Sequence, residues 1–382
     1  MVSMRKLLLI GLGDLGRNIL EFLARIPEVP RIIVADINED RGTLLVNNAV
    51  MGAMAQGFSP HIEFVKVDLN NEEETEHLLG KVQPDFVINA TTLQTWHRIR
   101  ILPREMYEKL SSATLGAWLP MHLTLVYKLM KAIKRSGINT FVLNASLPDV
   151  VDAVLGKIDL APTLGLGNID LIVQGIKRLV SLKLNVSVNV ISVYMVAHHV
   201  HWVCPREAGY MKGAPYFLKI LVKDKDVTKS FNLDKLLVDA VKLYPPGMEF
   251  TTVSASSGIK NVMAILKDKG ILTHVPGPNG LPGGYPVYLD GSGAKVTLPD
   301  DLALADAVKI NEEAQKYDAI EKIEEDGTVV FADYAVQIMK EMLGYECKKM
   351  KPEESEQRAN ELRELYRKFE AKYVSQPFVT KS

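Results

Sequence analysis

Three glycines near the N-terminus constrain the fold more than any other feature of this sequence. Gly11, Gly13 and Gly16 follow a short apolar run at 6–10 and precede a helical segment with an apolar face. In such a turn the first glycine permits a tight bend, the second lets the backbone approach a pyrophosphate, and the third lets helix and strand pack closely. The spacing therefore predicts a dinucleotide-binding βαβ unit. Its cofactor contacts are expected from Gly11, Leu12, Gly13, Asp14, Leu15 and Gly16.

An acidic residue indicates which dinucleotide this unit binds. Asp36 ends the next apolar run, 20 residues beyond Gly16. A carboxylate there can accept hydrogen bonds from ribose hydroxyls and would repel the 2′-phosphate of NADP, so we expect NAD. Arg41 is the counter-argument, because a nearby arginine could accommodate that phosphate, and NADP stays open.

Strand-like and helix-like segments alternate through the first part of the chain. Such alternation predicts an open parallel sheet with helices on both faces. We expect an α/β fold that begins with a Rossmann-type, doubly wound NAD(P)-binding domain at residues 1–147. The apolar runs lie at 31–35, 62–67, 85–90 and 140–144, and the clearest helical patterns at 71–79 and 123–136.

The pattern changes beyond residue 147. Residues 186–196 alternate with period two, which is typical of an antiparallel strand with one buried face. The segments at 285–290 and 294–298 indicate a hairpin after a loop at 275–284, and 353–373 has the Glu–Arg spacing of a surface helix. We expect residues 148–382 to form an α+β substrate and catalytic domain that ends in this charged helix.

Small polar residues follow two of the predicted buried strands. Ligands of doubly wound sheets bind beyond the carboxyl ends of the strands. We therefore expect Asn89, Ala90, Thr91 and Asn144 to contact the cofactor, with Asn144 also placed to position substrate. Ordinary turn chemistry at a strand end is the alternative interpretation.

Three histidines cluster directly after the alternating strand. If the strand continued, His199 and His201 would share one face and His198 would take the other. Hydride transfer needs a group that takes or gives a substrate proton, and histidine suits this near neutral pH. We expect His199, or else His198, to be the acid–base, with Asp170 as the carboxylate that orients it. A buried, hydrogen-bonded strand end and a metal site that includes Cys204 are the alternatives; the metal spacing is not a recognised one, and we expect no metal.

Two arginines follow the predicted strand end at 89–92. The segment 94–100 could form a mobile loop that closes over substrate, with Arg98 or Arg100 binding an anionic group. A solvated basic turn is an equally good interpretation of the same residues.

The order of these motifs resembles that of the lactate/malate dehydrogenases over most of the chain. The resemblance rests on the stretches 11–16, 89–91, 144–148, 167–170 and 197–200. It implies the two-domain fold, the His–Asp pair with Asp170, and substrate contacts from Arg98, Arg100, Asn144 and Ser256. Val173 stands where that family carries the arginine that binds the substrate carboxylate, so the substrate need not be a simple 2-hydroxy acid.

The N-terminal part also resembles the NAD(P)-binding domain of the saccharopine dehydrogenase group. The similar stretches are 11–18, 34–41, 67–69 and 84–91. This resemblance implies an amino-acid-like or opine-type substrate.

Composition excludes several other classes of protein. The 382 residues carry a net charge of −1, which gives no basic footprint for nucleic acid, and no apolar run is long enough to span a membrane. Two cysteines cannot form a disulfide framework, so a cytoplasmic protein is expected.

We expect an NAD-dependent dehydrogenase acting on a small hydroxy- or amino-acid-like molecule, assembled as a homodimer or homotetramer. The alternatives are a saccharopine- or opine-like amino-acid dehydrogenase, an NAD-dependent metal-assisted glycosidase and a non-catalytic NAD-binding protein.

Overall fold

Six parallel strands form the central sheet of this computed structural model, which describes residues 5–29 and 31–374. Their spatial order is β3-β2-β1-β4-β5-β6, the doubly wound order that places a ligand crevice between β1 and β4. The predicted fold class is confirmed. The strands are β1 (Lys6–Ile10), β2 (Arg31–Asp36), β3 (Ile62–Lys66), β4 (Phe86–Asn89), β5 (Phe141–Asn144) and β6 (Leu164–Gly165).

The sheet extends past the domain boundary expected at residue 147. Its sixth strand, β6, pairs in parallel with β5 through Leu143–Leu164 and Asn144–Gly165. A two-residue strand that contains glycine has no periodicity, so it could not be predicted from the sequence. The N-terminal sheet is therefore completed by residues of the second region.

Seven α-helices occur within the described residues 5–29 and 31–184. An amphipathic α1 leads directly from the glycine-rich turn, whereas α2 was not predicted, because several of its apolar side chains face solvent. Leu44, Met51 and Met54 are 68%, 61% and 62% exposed. These helices are α1 (Asp14–Leu23), α2 (Glu39–Ala55), α3 (Glu72–Val82), α4 (Arg104–Ser111), α5 (Leu119–Ser136), α6 (Pro148–Gly156) and α7 (Asn168–Leu184).

The rest of the described chain is α+β, as expected, with three small antiparallel sheets. The strands are β7 (Ile191–Val196), β8 (Phe217–Val222), β9 (Lys225–Asp226), β10 (Ile271–Pro276), β11 (Gly284–Asp290), β12 (Gly293–Val296), β13 (Ile320–Ile323), β14 (Val329–Phe331) and β15 (Lys349–Met350). The helices are α8 (Val200–Glu207), α9 (Leu233–Lys242), α10 (Thr251–Leu266), α11 (Leu304–Ala314), α12 (Asp333–Leu343) and α13 (Ser355–Glu370).

Several element boundaries differ from the sequence-based prediction. The predicted strand at 186–196 begins only at Ile191, because Val188–Val190 form a turn of 3₁₀ helix. β10 occupies the start of the predicted loop at 275–284. The predicted hairpin is present as β11 and β12. The predicted charged helix is present as α13, but one of its faces is buried.

The core lies on both faces of the parallel sheet. Alternate residues of β1 point to opposite sides, so Leu8 and Ile10 join one cluster, and Leu7 and Leu9 join the other. Burial of each of these leucine side chains stabilises the folded state by roughly 1.5–3 kcal/mol. The first cluster also contains Tyr366 and Phe369 of α13, which packs against α5, so the C-terminal helix covers part of the N-terminal sheet.

Across the described ranges, no helix combines the length and apolarity that a membrane crossing requires.

Candidate functional site

A cavity of about 550 Å³ opens at the carboxyl ends of the parallel strands. The glycine-rich turn and Asp36 line one part of it, and His199 lines another. This volume is within the usual range for small-molecule and cofactor sites. The cavity therefore brings most of the predicted cofactor-binding residues and the predicted acid–base to one space.

The glycine-rich turn has the geometry that a pyrophosphate site requires. Gly11 has a φ of +93°, which favours glycine, and a Cβ at Gly16 would lie 1.9 Å from the Gly11 carbonyl oxygen. A Cβ at Gly13 would meet no protein atom within 4 Å. Gly13 is thus not required by protein packing, and its open side fits the close approach of a phosphate.

Asp36 is fixed against the glycine-rich turn. Its Oδ2 accepts a hydrogen bond from the Leu12 N–H at 2.7 Å, and its Oδ1 accepts one from the Asn38 N–H at 3.0 Å. The Arg41 Nη2 donates to the Leu12 carbonyl oxygen at 2.9 Å. Asp36 lines the cavity, and the backbone of the turn already engages Arg41.

The strand-end residues divide into two groups. Ala90 and Thr91 line the cavity, as expected for cofactor contacts. Asn89 and Asn144 are fully buried, and the Asn89 Nδ2 donates to the Asn144 Oδ1 at 3.0 Å. The Asn144 Nδ2 donates in turn to the Asp152 Oδ1 at 2.6 Å. These two asparagine side chains do not line the cavity, and their amides instead link neighbouring strands and α6.

The histidine cluster does not continue the strand. β7 ends at Val196, and His199 has helical backbone angles directly before α8. The predicted division of the histidines between two strand faces is therefore wrong. The His201 ring lies against the carbonyl oxygens of His198 and Ala214, at 3.0 and 3.3 Å.

His199 is held by a carboxylate that the sequence did not reveal. Its Nδ1 lies 2.8 Å from the Oδ2 of Asp318, a fully buried residue at the end of the 3₁₀ segment Gln315–Asp318. The Nε2 makes no hydrogen bond within the described chain and is left for the cavity that the ring lines. The ring of His198 has no hydrogen-bond partner among the described residues, and its Nδ1 is 4.0 Å from the same carboxylate.

Buried charges tune the proton affinity of this cluster. Burial by itself would lower the pKa of His199, but Asp318 and, more weakly, Asp149 raise it above the ordinary histidine value. Burial would raise the pKa of Asp318, but His199 holds it below the ordinary aspartate value. His122, which also lines the cavity, has a pKa lowered to about 4 by burial and by His199. These shifts favour a charged His199–Asp318 pair beside a neutral His122.

Asp170 does not orient the histidines, contrary to expectation. Its Oδ2 accepts hydrogen bonds from the Ser257 Oγ at 2.6 Å and the Lys260 Nζ at 2.5 Å. Its Oδ1 accepts one from the Gln174 side chain at 3.0 Å. Although burial opposes it, Lys260 holds the pKa of Asp170 below its usual value. Asp170 therefore joins α7 to α10, and Asp318 takes the place beside His199.

Arg98 and Arg100 are engaged elsewhere and do not line the cavity. Arg98 pairs with Glu370 at 2.7 Å, and Arg100 pairs with Glu207 at 3.1 Å. Their segment, the 3₁₀ turn Trp96–Ile101, nevertheless contributes Trp96 to the cavity wall. The predicted segment lies at the site, but its two arginines pair with glutamates instead of facing the cavity.

Ser256 is also displaced from the expected position. It is exposed and donates a hydrogen bond to the Thr252 carbonyl oxygen at 2.9 Å within α10. Ser254 lines the cavity instead, because a shift of two residues along a helix rotates the side-chain direction by about 200°. The small-residue segment was correctly placed, but its cavity-facing member was not.

The histidine–cysteine region is not arranged around a metal. Within residues 5–29 and 31–374, no group of three or more His, Cys, Asp or Glu side chains could hold a metal ion. Cys204 packs among Val200, Ala214 and Ala314, and burial raises the pKa of its thiol to about 11.

Comparison with known families supports the cofactor half of the site. Residues 7–95 match the family model described as the saccharopine dehydrogenase NADP binding domain. The match confirms the resemblance seen in the N-terminal motifs. A search of curated proteins finds no match.

Solved structures match most of the chain. The lactate dehydrogenase of Cryptosporidium parvum, solved with lactic acid and β-nicotinamide adenine dinucleotide, is 15% identical with a TM-score of 0.57; the match covers 83% of this chain and 99% of that one. The lactate dehydrogenase of Eimeria maxima, solved with NADH and oxamate, is 15% identical with a TM-score of 0.57 and coverages of 82% and 93%. The malate dehydrogenase of Cryptosporidium parvum is 15% identical with a TM-score of 0.55 and coverages of 83% and 98%. This chain thus shares the fold of the lactate/malate dehydrogenases.

Proposed function

We propose that this chain is a nicotinamide-dependent oxidoreductase that acts on a small hydroxy- or amino-acid-like substrate. One observation carries the proposal: His199, bonded through Nδ1 to a buried carboxylate, lines the same cavity as the glycine-rich turn. A histidine oriented in this way has its second nitrogen free to exchange a proton with a substrate. The fold of the chain, which it shares with the lactate/malate dehydrogenases, is compatible with hydride transfer to a nicotinamide.

The chain's own residues would divide the reaction between them. A nicotinamide bound by the glycine-rich turn would supply the hydride acceptor or donor for the substrate carbon. His199 takes the hydroxyl or amine proton at Nε2 during oxidation and gives it back during reduction. Asp318 is a positioning residue that fixes the ring and stabilises its charged form, as a carboxylate does for a catalytic histidine. The glycine-rich turn would bind the pyrophosphate through backbone N–H groups at the start of α1.

We propose NAD as the cofactor. The support is the Asp36 carboxylate on the cavity wall, together with an Arg41 guanidinium already bonded to the Leu12 carbonyl oxygen. NADP is the second candidate, favoured by the description of the family that residues 7–95 match. Equilibrium binding of NADH and NADPH decides between them, and Asp36→Ala should weaken NADH binding about tenfold while affecting NADPH less. Tighter binding of NADPH by the unaltered chain would reverse the assignment.

A coupled assay tests the reaction itself. The purified chain should reduce NAD with at least one member of a panel of hydroxy acids, amino acids and opine-type secondary amines. His199→Ala should lower kcat by roughly 10²–10⁴-fold with little change in NADH affinity. His201→Ala is the matched comparison, because its ring bonds backbone carbonyls and does not line the cavity. Cofactor binding without turnover over the whole panel would instead favour a non-catalytic nicotinamide-binding protein.

The substrate class has a second candidate. The match of residues 7–95 to the saccharopine dehydrogenase group favours an amino-acid or opine-type substrate over a simple 2-hydroxy acid. Val173, at the position of the lactate/malate arginine, agrees with that preference. Higher kcat/KM for secondary amines than for hydroxy acids would support it.

We further propose that the chain works as a homodimer or homotetramer, which light scattering of the purified protein measures directly.

A further inference from the structure

Arg206 lies on the helix that begins directly after the proposed acid–base. His199, Trp202 and Arg206 are spaced three and seven residues apart, which places them on one face of α8. All three line the cavity. A substrate whose reacting carbon is at His199 therefore lies on the helix face that carries this guanidinium.

The Arg206 guanidinium is held in place by aromatic rings. It lies 4.9 Å from the centre of the Trp202 ring and 5.0 Å from the centre of the Phe250 ring. One of its N–H groups donates to the Pro245 carbonyl oxygen at 2.9 Å. Because a guanidinium has five N–H donors, the others remain for a ligand. Such stacking pre-organises the planar group and lowers the entropy lost on binding.

The charge of Arg206 has no carboxylate partner within 4.0 Å in the described part of the chain, unlike those of its neighbours. The nearby Glu207 is engaged by Arg100 at 3.1 Å and by the Tyr107 hydroxyl, which donates to it at 2.7 Å. Burial and the charge of Arg100 lower the pKa of Arg206. An anionic ligand would relieve this uncompensated charge.

Arg363 also lines the cavity, but it donates to the Asn360 Oδ1 at 2.9 Å and does not lie on the helix that follows His199. The cations that the sequence predicts to bind substrate are not available. Glu370 and Glu207 engage Arg98 and Arg100, and position 173 is a valine. We propose that Arg206 binds a carboxylate of the substrate through paired N–H···O bonds. This inference rests on the proposed function, because it assigns the anion-binding residue of the same cavity.

Calorimetric titration tests the assignment with matched acids and amides. The probes are malonate and succinate, with their uncharged diamides malonamide and succinamide, added to the full chain with and without saturating NADH. The unaltered chain should bind at least one acid ten times more tightly than its diamide. Arg206→Gln should lose that tenfold preference and leave amide binding unchanged, whereas Arg206→Lys should retain part of it.

A matched control separates a local effect from a general change of charge. Arg104→Gln removes an exposed arginine of α4 that pairs with Glu108, outside the cavity, and should bind the acids as the unaltered chain does. The proposal is overturned if acids and diamides bind the unaltered chain alike, if neither acid binds, or if Arg206→Gln keeps the preference. The proposed oxidoreductase function fails on different readouts, namely the absence of NADH and NADPH binding or of turnover.

Discussion

Arg98 and Glu370 form a two-point ion pair across 272 positions of the chain, with Nε–Oε1 and Nη2–Oε2 distances of 3.0 and 2.7 Å. The Glu370 side chain is only 2% exposed. The pair joins the 3₁₀ turn Trp96–Ile101, which lines the cavity, to α13 near the C-terminus. A residue expected to bind substrate instead anchors the cavity wall to the C-terminal helix.

Glu370→Gln should lower both stability and activity. It leaves Arg98 partly buried without its counter-charge, which costs about 2–4 kcal/mol in the free energy of unfolding. The cavity wall also loses its anchor, so KM should rise. Urea unfolding and steady-state kinetics measure the two effects. Glu364→Gln is the matched control on α13, because its pair with Lys368 is exposed and therefore screened by solvent. Equal losses in both variants would show that the ion pair has no special role.

Asp318→Asn should reduce turnover by roughly 10²–10⁴-fold while the protein still binds NADH. Asp318 raises the pKa of His199, so its loss should move the acid limb of the oxidation rate profile to lower pH. The direction follows because oxidation needs a neutral His199, and that form then persists to lower pH. Asp170→Asn, which alters a carboxylate bonded to Lys260 and Ser257, should leave the position of that limb unchanged. A limb that shifts only in the Asp170 variant would restore the original pairing.

Alanine substitutions at two glycines of the same turn should affect different properties, namely stability for Gly16→Ala and NADH affinity for Gly13→Ala. Gly16→Ala places a Cβ 1.9 Å from a backbone oxygen and should cost about 3 kcal/mol or more in stability. Gly13→Ala meets no protein atom and should cost at most about 1 kcal/mol, as a weaker N-cap of α1. It should nevertheless weaken NADH binding about tenfold, because the methyl group occupies the phosphate approach. Thermal unfolding and NADH titration measure the two effects, and unchanged affinity in Gly13→Ala would place the pyrophosphate elsewhere.

Asp149→Asn should stabilise the fold at neutral pH. Burial raises the pKa of Asp149 to about 6, against about 3.9 in an unfolded chain. The folded state therefore holds this proton more tightly, and stability falls as pH rises from about 4 to about 6. The variant should gain roughly 1–3 kcal/mol at pH 7.5 and little at pH 4, by urea unfolding. Asp239→Asn, which alters a partly exposed carboxylate of α9 that pairs with Lys235, is the control for the loss of one negative charge. An equal gain at both pH values would contradict the mechanism.

The cofactor half of the site could be predicted because its signals are local. The glycines and Asp36 occur within 26 consecutive residues, and each has a distinct backbone or charge requirement. The catalytic half depends on contacts between distant segments. Asp318 meets His199 across 119 positions, and nothing in its own neighbourhood of sequence distinguishes it from a surface aspartate.

Helical geometry explains the other differences. A strand interpretation of 198–201 assigned the histidine faces with period two, but the chain enters α8 there, so the period becomes 3.6. The position of Arg206 on the same face as His199 could not be predicted for the same reason, since the two residues share a face only on a helix. Asp170 lies at the start of a helix, as predicted, but its carboxylate binds Lys260 of α10 and not a histidine.

The packing of α13 on α5 also has a consequence for the chain during its synthesis. Leu8 and Ile10 share one cluster with Tyr366 and Phe369, so β1 belongs to the same core as a helix that leaves the ribosome long after it. Throughout synthesis of the residues between them, that apolar side of the sheet lacks part of its cover. Nascent chains of this protein are therefore exposed to aggregation, and to capture by chaperones, until α13 emerges.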